Sequence, residues 1–199
     1  MESKQVFEFT YAEYPRDQPI FGLIMVIFSF IPQVLPIIVT TRYFTLKCNH
    51  HLFFFLGLVF SHLLAKSLKN IVKQSRPSGA FLSSYGMPSD HSQFLFFATS
   101  YLTLVVFSRA NIQKSSAILT STFMTIITLV VCYSRLYLGV HSLQQVVVGG
   151  IVGIVTGPIW YNLTAKYLLS RKILIVYLDK LYLAVYNKFL GSVTKPLQK

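Results

Sequence analysis

Two short stretches of this chain carry the residue types that handle phosphate. The first, Lys69 to His91, holds Lys69 and Arg76 at the end of one apolar run and Ser89 and His91 at the start of the next. The second, Ser134 to His141, repeats the arrangement with Arg135 and His141. Arg76 and Arg135 can each present a planar, two-pronged guanidinium to phosphate oxygens, and Lys69 adds a compact point charge. The Pro88-Ser89 pair suits a helix start, where unpaired backbone amides and the helix dipole favour an anion. Fixed cations of this kind stabilise the charge that spreads over a phosphoryl group in transfer. Two histidines then serve two tasks: one neutral imidazole attacks phosphorus, and another donates a proton to the leaving oxygen and later activates water.

Apart from Asp90, no acidic residue lies near either stretch, so the carboxylates expected of a magnesium site are missing. Neither a metal nor a cofactor is expected. Cys48 and Cys132 lie on unrelated segments without metal-ligand spacing, and they indicate neither a zinc site nor a disulfide framework.

The elements that must position these residues read as transmembrane helices. Of the 199 residues 53% are hydrophobic and only 12% charged, too apolar a balance for an ordinary soluble domain. The net charge of +12 does not point to nucleic acid, because the Lys and Arg are scattered between apolar runs rather than massed in one polar domain. The expected fold is all-α, a polytopic bundle of about five spans. A span needs roughly 20 apolar residues. The runs that fit are Asp17 to Arg42, with possible kinks at Pro32 and Pro36, Leu52 to Lys73, Ser89 to Phe107, Ser115 to Tyr133, and Leu143 to Leu163. Within the last, GGIVGIVTG allows close helix contact.

Residues 1–19 are expected to form a polar arm rather than a cleavable signal peptide, residues 20–165 the bundle, and residues 166–199 a basic tail. In that tail Leu174, Leu178, Leu181 and Val185 recur at helical spacing among basic residues, which predicts an amphipathic helix lying in the membrane interface.

Helix parity ties these elements to the chemistry. With five spans, the ends carrying Lys69 and Arg76, Ser89 and His91, Arg135, and His141 all fall on one side of the membrane. The other side receives Arg42, Lys47, Arg109, Lys114 and the basic tail. By the positive-inside rule that side is cytosolic, so the two phosphate-handling stretches face the lumen or exterior. His62, inside the second span, reads as a satisfied core or packing residue rather than a catalyst.

The pattern Lys69-x6-Arg76-Pro77, Pro88-Ser89-x-His91, and Ser134-Arg135-x5-His141 resembles the three-part signature of the type 2 phosphatidic acid phosphatase and haloperoxidase superfamily. Carried over residue by residue, the resemblance implies that His141 is the nucleophile and His91 the acid/base. It also implies that Lys69, Arg76, Ser89 and Arg135 hold the phosphate.

A closer likeness, through AEYP at Ala12 to Pro15, KNIVKQSRP at Lys69 to Pro77, YGMPSDHSQF at Tyr85 to Phe94, and SRLYLGVH followed by Gln145, is to the dolichyl diphosphate phosphatases. This implies metal-independent removal of the terminal phosphate of a polyprenyl diphosphate on the lumenal face of the endoplasmic reticulum. Such a reaction recycles the lipid carrier of protein N-glycosylation. Membrane lipids and the polyprenyl substrate are the expected partners. A phosphatase for phosphatidic acid or another lipid monophosphate, and a catalytically silent membrane scaffold, are the competing readings.

Two positions depart from the superfamily pattern. Asp90 stands where a small residue is usual, and a carboxylate there would repel phosphate unless it turns away into the first turn of its helix, where negative charge is favourable. Gln145 stands where many members carry an Asp that orients the nucleophile, which the dolichyl type shares and which implies a less basic His141.

Overall fold

The computed structural model describes residues 4–7, 12–15, 18–46, 49–80 and 84–164. A short antiparallel hairpin, β1 (Lys4–Phe7) and β2 (Ala12–Pro15), pairs Val6 with Glu13 and leads into the first helices. Six helices follow: α1 (Pro19–Ser29), α2 (Ile31–Leu46), α3 (Asn49–Val72), α4 (Asp90–Ser108), α5 (Lys114–Tyr137) and α6 (Leu143–Asn162). The amphipathic helix expected in the basic tail lies outside the described residues.

Four segments, Pro19–Leu46, α3, α5 and α6, are long and apolar enough to cross a bilayer. Leu119, Phe123, Ile151 and Ile159 are exposed on the outer faces of α5 and α6, as a lipid-facing surface requires. The chain is a multi-pass membrane protein. About five spans were expected. The remaining helix, α4, spans 19 residues and about 28 Å at 1.5 Å per residue. It packs against α3, α5 and α6 and is less apolar because its side chains bond to those neighbours. Ser92 Oγ donates to Val146 O at 2.6 Å, Gln93 Nε2 to Ser61 O at 2.8 Å, and Thr99 meets Thr128 at 2.8 Å. Polar groups away from water need such partners.

The first expected run is broken rather than gently kinked. Phe30 separates α1 from α2, and Pro32 sits in the first turn of α2, where its missing N–H leaves no bond unmade. Pro36 lies inside α2 and removes a further backbone donor. α3 ends where Lys73 turns to a φ of 51°, with Lys73 N–H still donating to Lys69 O.

The core lies between α3, α4 and α5, where Phe54, Leu58, Phe94, Phe97, Tyr101 and Val131 are buried together. Phe54 and Tyr101 stack with ring centroids 5.0 Å apart. The small-residue run of α6 brings that helix against α4: a Cβ at Gly149 would lie 2.5 Å from Ser89 O, so only glycine lets the two backbones meet there.

Candidate active site

The turn between α5 and α6 presents His141. It is built from bonds back onto the end of α5: Leu138 N–H donates to Ser134 O at 2.9 Å, and Val140 N–H donates to Arg135 O at 3.2 Å. Gly139 takes a φ of 65° to reverse the chain. α6 then starts with a reciprocal cap, in which Ser142 Oγ accepts from Gln145 N–H and Gln145 Oε1 accepts from Ser142 N–H.

Arg76 reaches into this turn from the loop after α3. Its NH1 donates to Val140 O at 2.8 Å and to His141 Nε2 at 3.1 Å, while its Nε donates to Ser84 O at 3.0 Å. A guanidinium has no acceptor, so the His141 Nε2 it meets carries a lone pair. On the other edge of the ring, His141 Nδ1 donates to Gln145 Oε1 at 3.1 Å. The Gln145 amide has one orientation, because its Nε2 donates to Gln74 Oε1 at 3.0 Å and to Ser75 O at 2.8 Å. Both edges thus agree on one tautomer, with the proton on Nδ1 and a lone pair on Nε2.

Ser89 caps α4 and is fully buried; its N–H donates to Gln145 O at 2.9 Å, which joins the start of α4 to the start of α6. Ser89 Oγ and Arg135 Nε are buried without a hydrogen-bond partner. Orphaned polar atoms of this kind cost free energy unless something polar arrives to meet them. Lys69 lies within the electrostatic reach of Arg76, Arg135 and Asp90, and His91 within that of Arg135, His141 and Lys69. Among the described residues no carboxylate comes within ion-pair distance of Lys69, Arg76 or Arg135. Three cations with one nearby Asp leave an uncompensated positive field, and an anion is its natural occupant.

That field acts on His141. Burial foremost, then Arg76 and Arg135, lower its pKa to about 3, against the smaller upward pull of the Gln145 hydrogen bond. The imidazole is therefore neutral at physiological pH. Burial also lowers the Arg76 pKa, and Asp90 opposes the shift.

The profile of the PAP2 superfamily matches residues 50–168. The chain belongs to the PAP2 superfamily. Dolichyldiphosphatase 1 of Dictyostelium discoideum is 37% identical over 161 residues, covering 78% of this chain and 69% of that protein. Dolichyldiphosphatase of Saccharomyces cerevisiae is 35% identical over 114 residues, covering 53% of this chain; the match spans about half, 48%, of that relative. The crystal structure of a transmembrane PAP2 type phosphatidylglycerolphosphate phosphatase from Bacillus subtilis shares the fold, with a TM-score of 0.66 at 23% identity over 75% of this chain and 79% of that one.

The structure brings together Lys69, Arg76, Ser89, Arg135, His141 and Gln145, with His91 the second residue of α4. Asp90 stands in the first turn of α4 with its Oδ2 bonded to His62 Nδ1 at 2.9 Å. His62, read from the sequence as a satisfied core or packing residue, is satisfied by this carboxylate but stands exposed rather than in the core. Sequence reasoning also missed Gln74 and Gln33. The Gln33 amide nitrogen donates to Phe30 O at 2.9 Å and Ser29 O at 3.0 Å. Its oxygen then faces His91 Nε2, 3.4 Å away. No motif marks Gln33, since it belongs to the apolar first span and meets His91 only through the break at Phe30. Among the described residues no three His, Cys, Asp or Glu side chains gather to hold a metal ion.

Proposed function

We infer that this chain hydrolyses a polyprenyl diphosphate of the dolichyl type to the polyprenyl monophosphate and inorganic phosphate. The observation that carries the reading is the Arg76–His141–Gln145 arrangement, which offers an unprotonated Nε2 beside a guanidinium. The likeness to two curated dolichyldiphosphatases supports the substrate class.

In this mechanism Lys69, Arg76, Arg135 and the Ser89 hydroxyl hold the terminal phosphoryl group. His141 Nε2 attacks its phosphorus in line with the bridging oxygen. The P–O bond to the lipid phosphate breaks as the N–P bond forms, and His91 gives its proton to the departing oxygen. His91 then takes a proton from water, whose oxygen attacks the phosphohistidine and frees inorganic phosphate. The cations stabilise the equatorial oxygens throughout, the work that a divalent ion performs in other phosphoryl transferases.

The charge asymmetry of the loops supports a site on the lumenal face of the endoplasmic reticulum membrane, with the residue 1–19 arm on the same side and the basic 166–199 tail in the cytosol. There the reaction returns the lipid carrier of N-glycosylation to its monophosphate form. The test is phosphate release from dolichyl diphosphate by the purified full chain, with trapping of labelled phosphate on His141. Preferential turnover of phosphatidic acid would favour the lipid-monophosphate reading. Normal complementation by His141→Ala would favour a silent scaffold.

A further inference from the structure

Beside His91 a cavity of about 360 Å³ opens between α2, α3 and α4. Pro32 and Pro36 form one wall, so the break after α1 shapes it, and Phe55, Leu58 and Phe94 make it apolar. Its polar lining is confined to Gln33, His62, Asp90 and His91. His62 is thus a second imidazole facing the same space as His91, and its Nδ1 is committed to Asp90.

We propose that His62, held by Asp90, is a second phosphate contact that reads the phosphate remaining on the lipid and so selects diphosphates over monophosphates. The inference rests on the phosphatase reading above. In-line displacement places the leaving oxygen opposite His141 Nε2, beside His91. The leaving group then extends past His91 into this cavity. For a diphosphate its first atoms are a phosphate; for a monoester they are carbon. Gln33, His62 and Asp90 are the polar groups that remain there, and the His62 ring keeps a nitrogen that its bond to Asp90 does not use.

Asp90 explains how the contact is held. A carboxylate next to the phosphate-holding residues weakens anion binding unless its charge is engaged, and the His62 ring engages it at 2.9 Å. The His62 side chain is 57% exposed and Asp90 25%, so the ring stands at the accessible edge of the pair, with the carboxylate behind it. Nδ1 bonding leaves Nε2 for the lipid phosphate. The contact works with the proton on either partner: an imidazolium N–H donates to a phosphate oxygen, or a phosphate hydroxyl donates to the neutral nitrogen. A site built to bond a polar group penalises the analogue lacking it.

The experiment measures kcat/KM of the full chain in lipid nanodiscs for a polyprenyl diphosphate and the polyprenyl monophosphate of equal length. His62→Phe is expected to lower the diphosphate-to-monophosphate ratio on the order of 10- to 100-fold, the worth of one hydrogen bond to a charged group. Asp90→Ser, which frees the ring, shifts the ratio in the same direction, and Asp90→Asn, which keeps an acceptor for Nδ1, shifts it less. The same order is expected in the Ki ratio of a lipid methylene-bisphosphonate to its monophosphonate, a readout that needs no monophosphate turnover. Loss of both substrates in equal proportion overturns the selective contact while leaving the phosphatase reading intact. Failure of the unaltered chain to hydrolyse either substrate overturns the phosphatase reading itself.

Discussion

Gln74 and Ser75 together fix which end of the Gln145 amide His141 meets. Gln74 Nε2 donates to Gln144 Oε1 at 3.2 Å, which turns Gln74 Oε1 toward Gln145 Nε2 and leaves Gln145 Oε1 for the imidazole. Three neutral amides in series therefore orient the ring where a carboxylate would add charge.

Breaking the series tests it. Gln145→Leu leaves His141 Nδ1 without its acceptor, and kcat should fall about 100-fold, the scale of a misplaced reacting group. Gln74→Leu acts through Gln145 and should produce a smaller loss. In the Gln74→Leu/Gln145→Leu double variant the losses should not add, because one contact chain is being cut twice. Multiplying losses in steady-state kinetics would refute the series.

After burial, Arg76 does most to hold down the proton affinity of His141. Arg76→Gln removes a cation that holds the His141 pKa down, so that pKa should rise from about 3 toward its ordinary 6.5. In the unaltered chain, acidification from pH 7 to 5 does not protonate His141. In the variant the acid limb of kcat/KM should move toward neutrality, on top of a loss of roughly 100- to 1000-fold in kcat. A limb that stays in place would mean that another group controls it.

The same shift bears on stability. The unfolded chain takes up a proton on His141 near pH 6.5, whereas the folded chain resists until about pH 3. Between those values the unfolded state binds more protons, so this group's contribution to stability is full above pH 6.5 and is lost as pH falls toward 3. His141→Gln should flatten that part of the pH dependence of Tm; an unchanged slope would contradict the buried neutral ring.

Gly86 backs onto Gln145. An added Cβ would overlap the Gln145 amide group. Gly86→Ala should therefore cut kcat by displacing Gln145, and adding it to Gln145→Ala should cost little more. Thermal unfolding of both proteins separates this from general destabilisation.

Activity measured in excess EDTA tests the cation-only chemistry. Full turnover is expected with chelator, and restoration by magnesium after its loss would contradict the three-cation scheme.

Lys69, Arg76, Ser89, His91, Arg135, His141 and Gln145 were visible in the sequence because each sits at or within a few residues of a helix end in a short, ordered motif, and parity put those ends on one side. The break at Phe30 was not, because two prolines in an apolar run signal a kink without choosing the residue that yields. His62 and Gln74 carry no local signal either. Each gains its partner from a segment well removed in sequence, Asp90 for one and Gln145 for the other. The β1–β2 hairpin was missed because its residues lie among polar and aromatic side chains without a clear turn dipeptide.

The glycine contact between α4 and α6 has a consequence for substrate range. Ser89 and Gln145 are fastened backbone to backbone, whereas Gln33 approaches His91 from a helix that starts beyond a break. The starts of α4 and α6 are thus tied backbone to backbone, whereas α2 meets His91 through a side chain alone. Exchanging α1 and α2 between family members should then retune which lipid tails are accepted while the reacting groups keep their alignment.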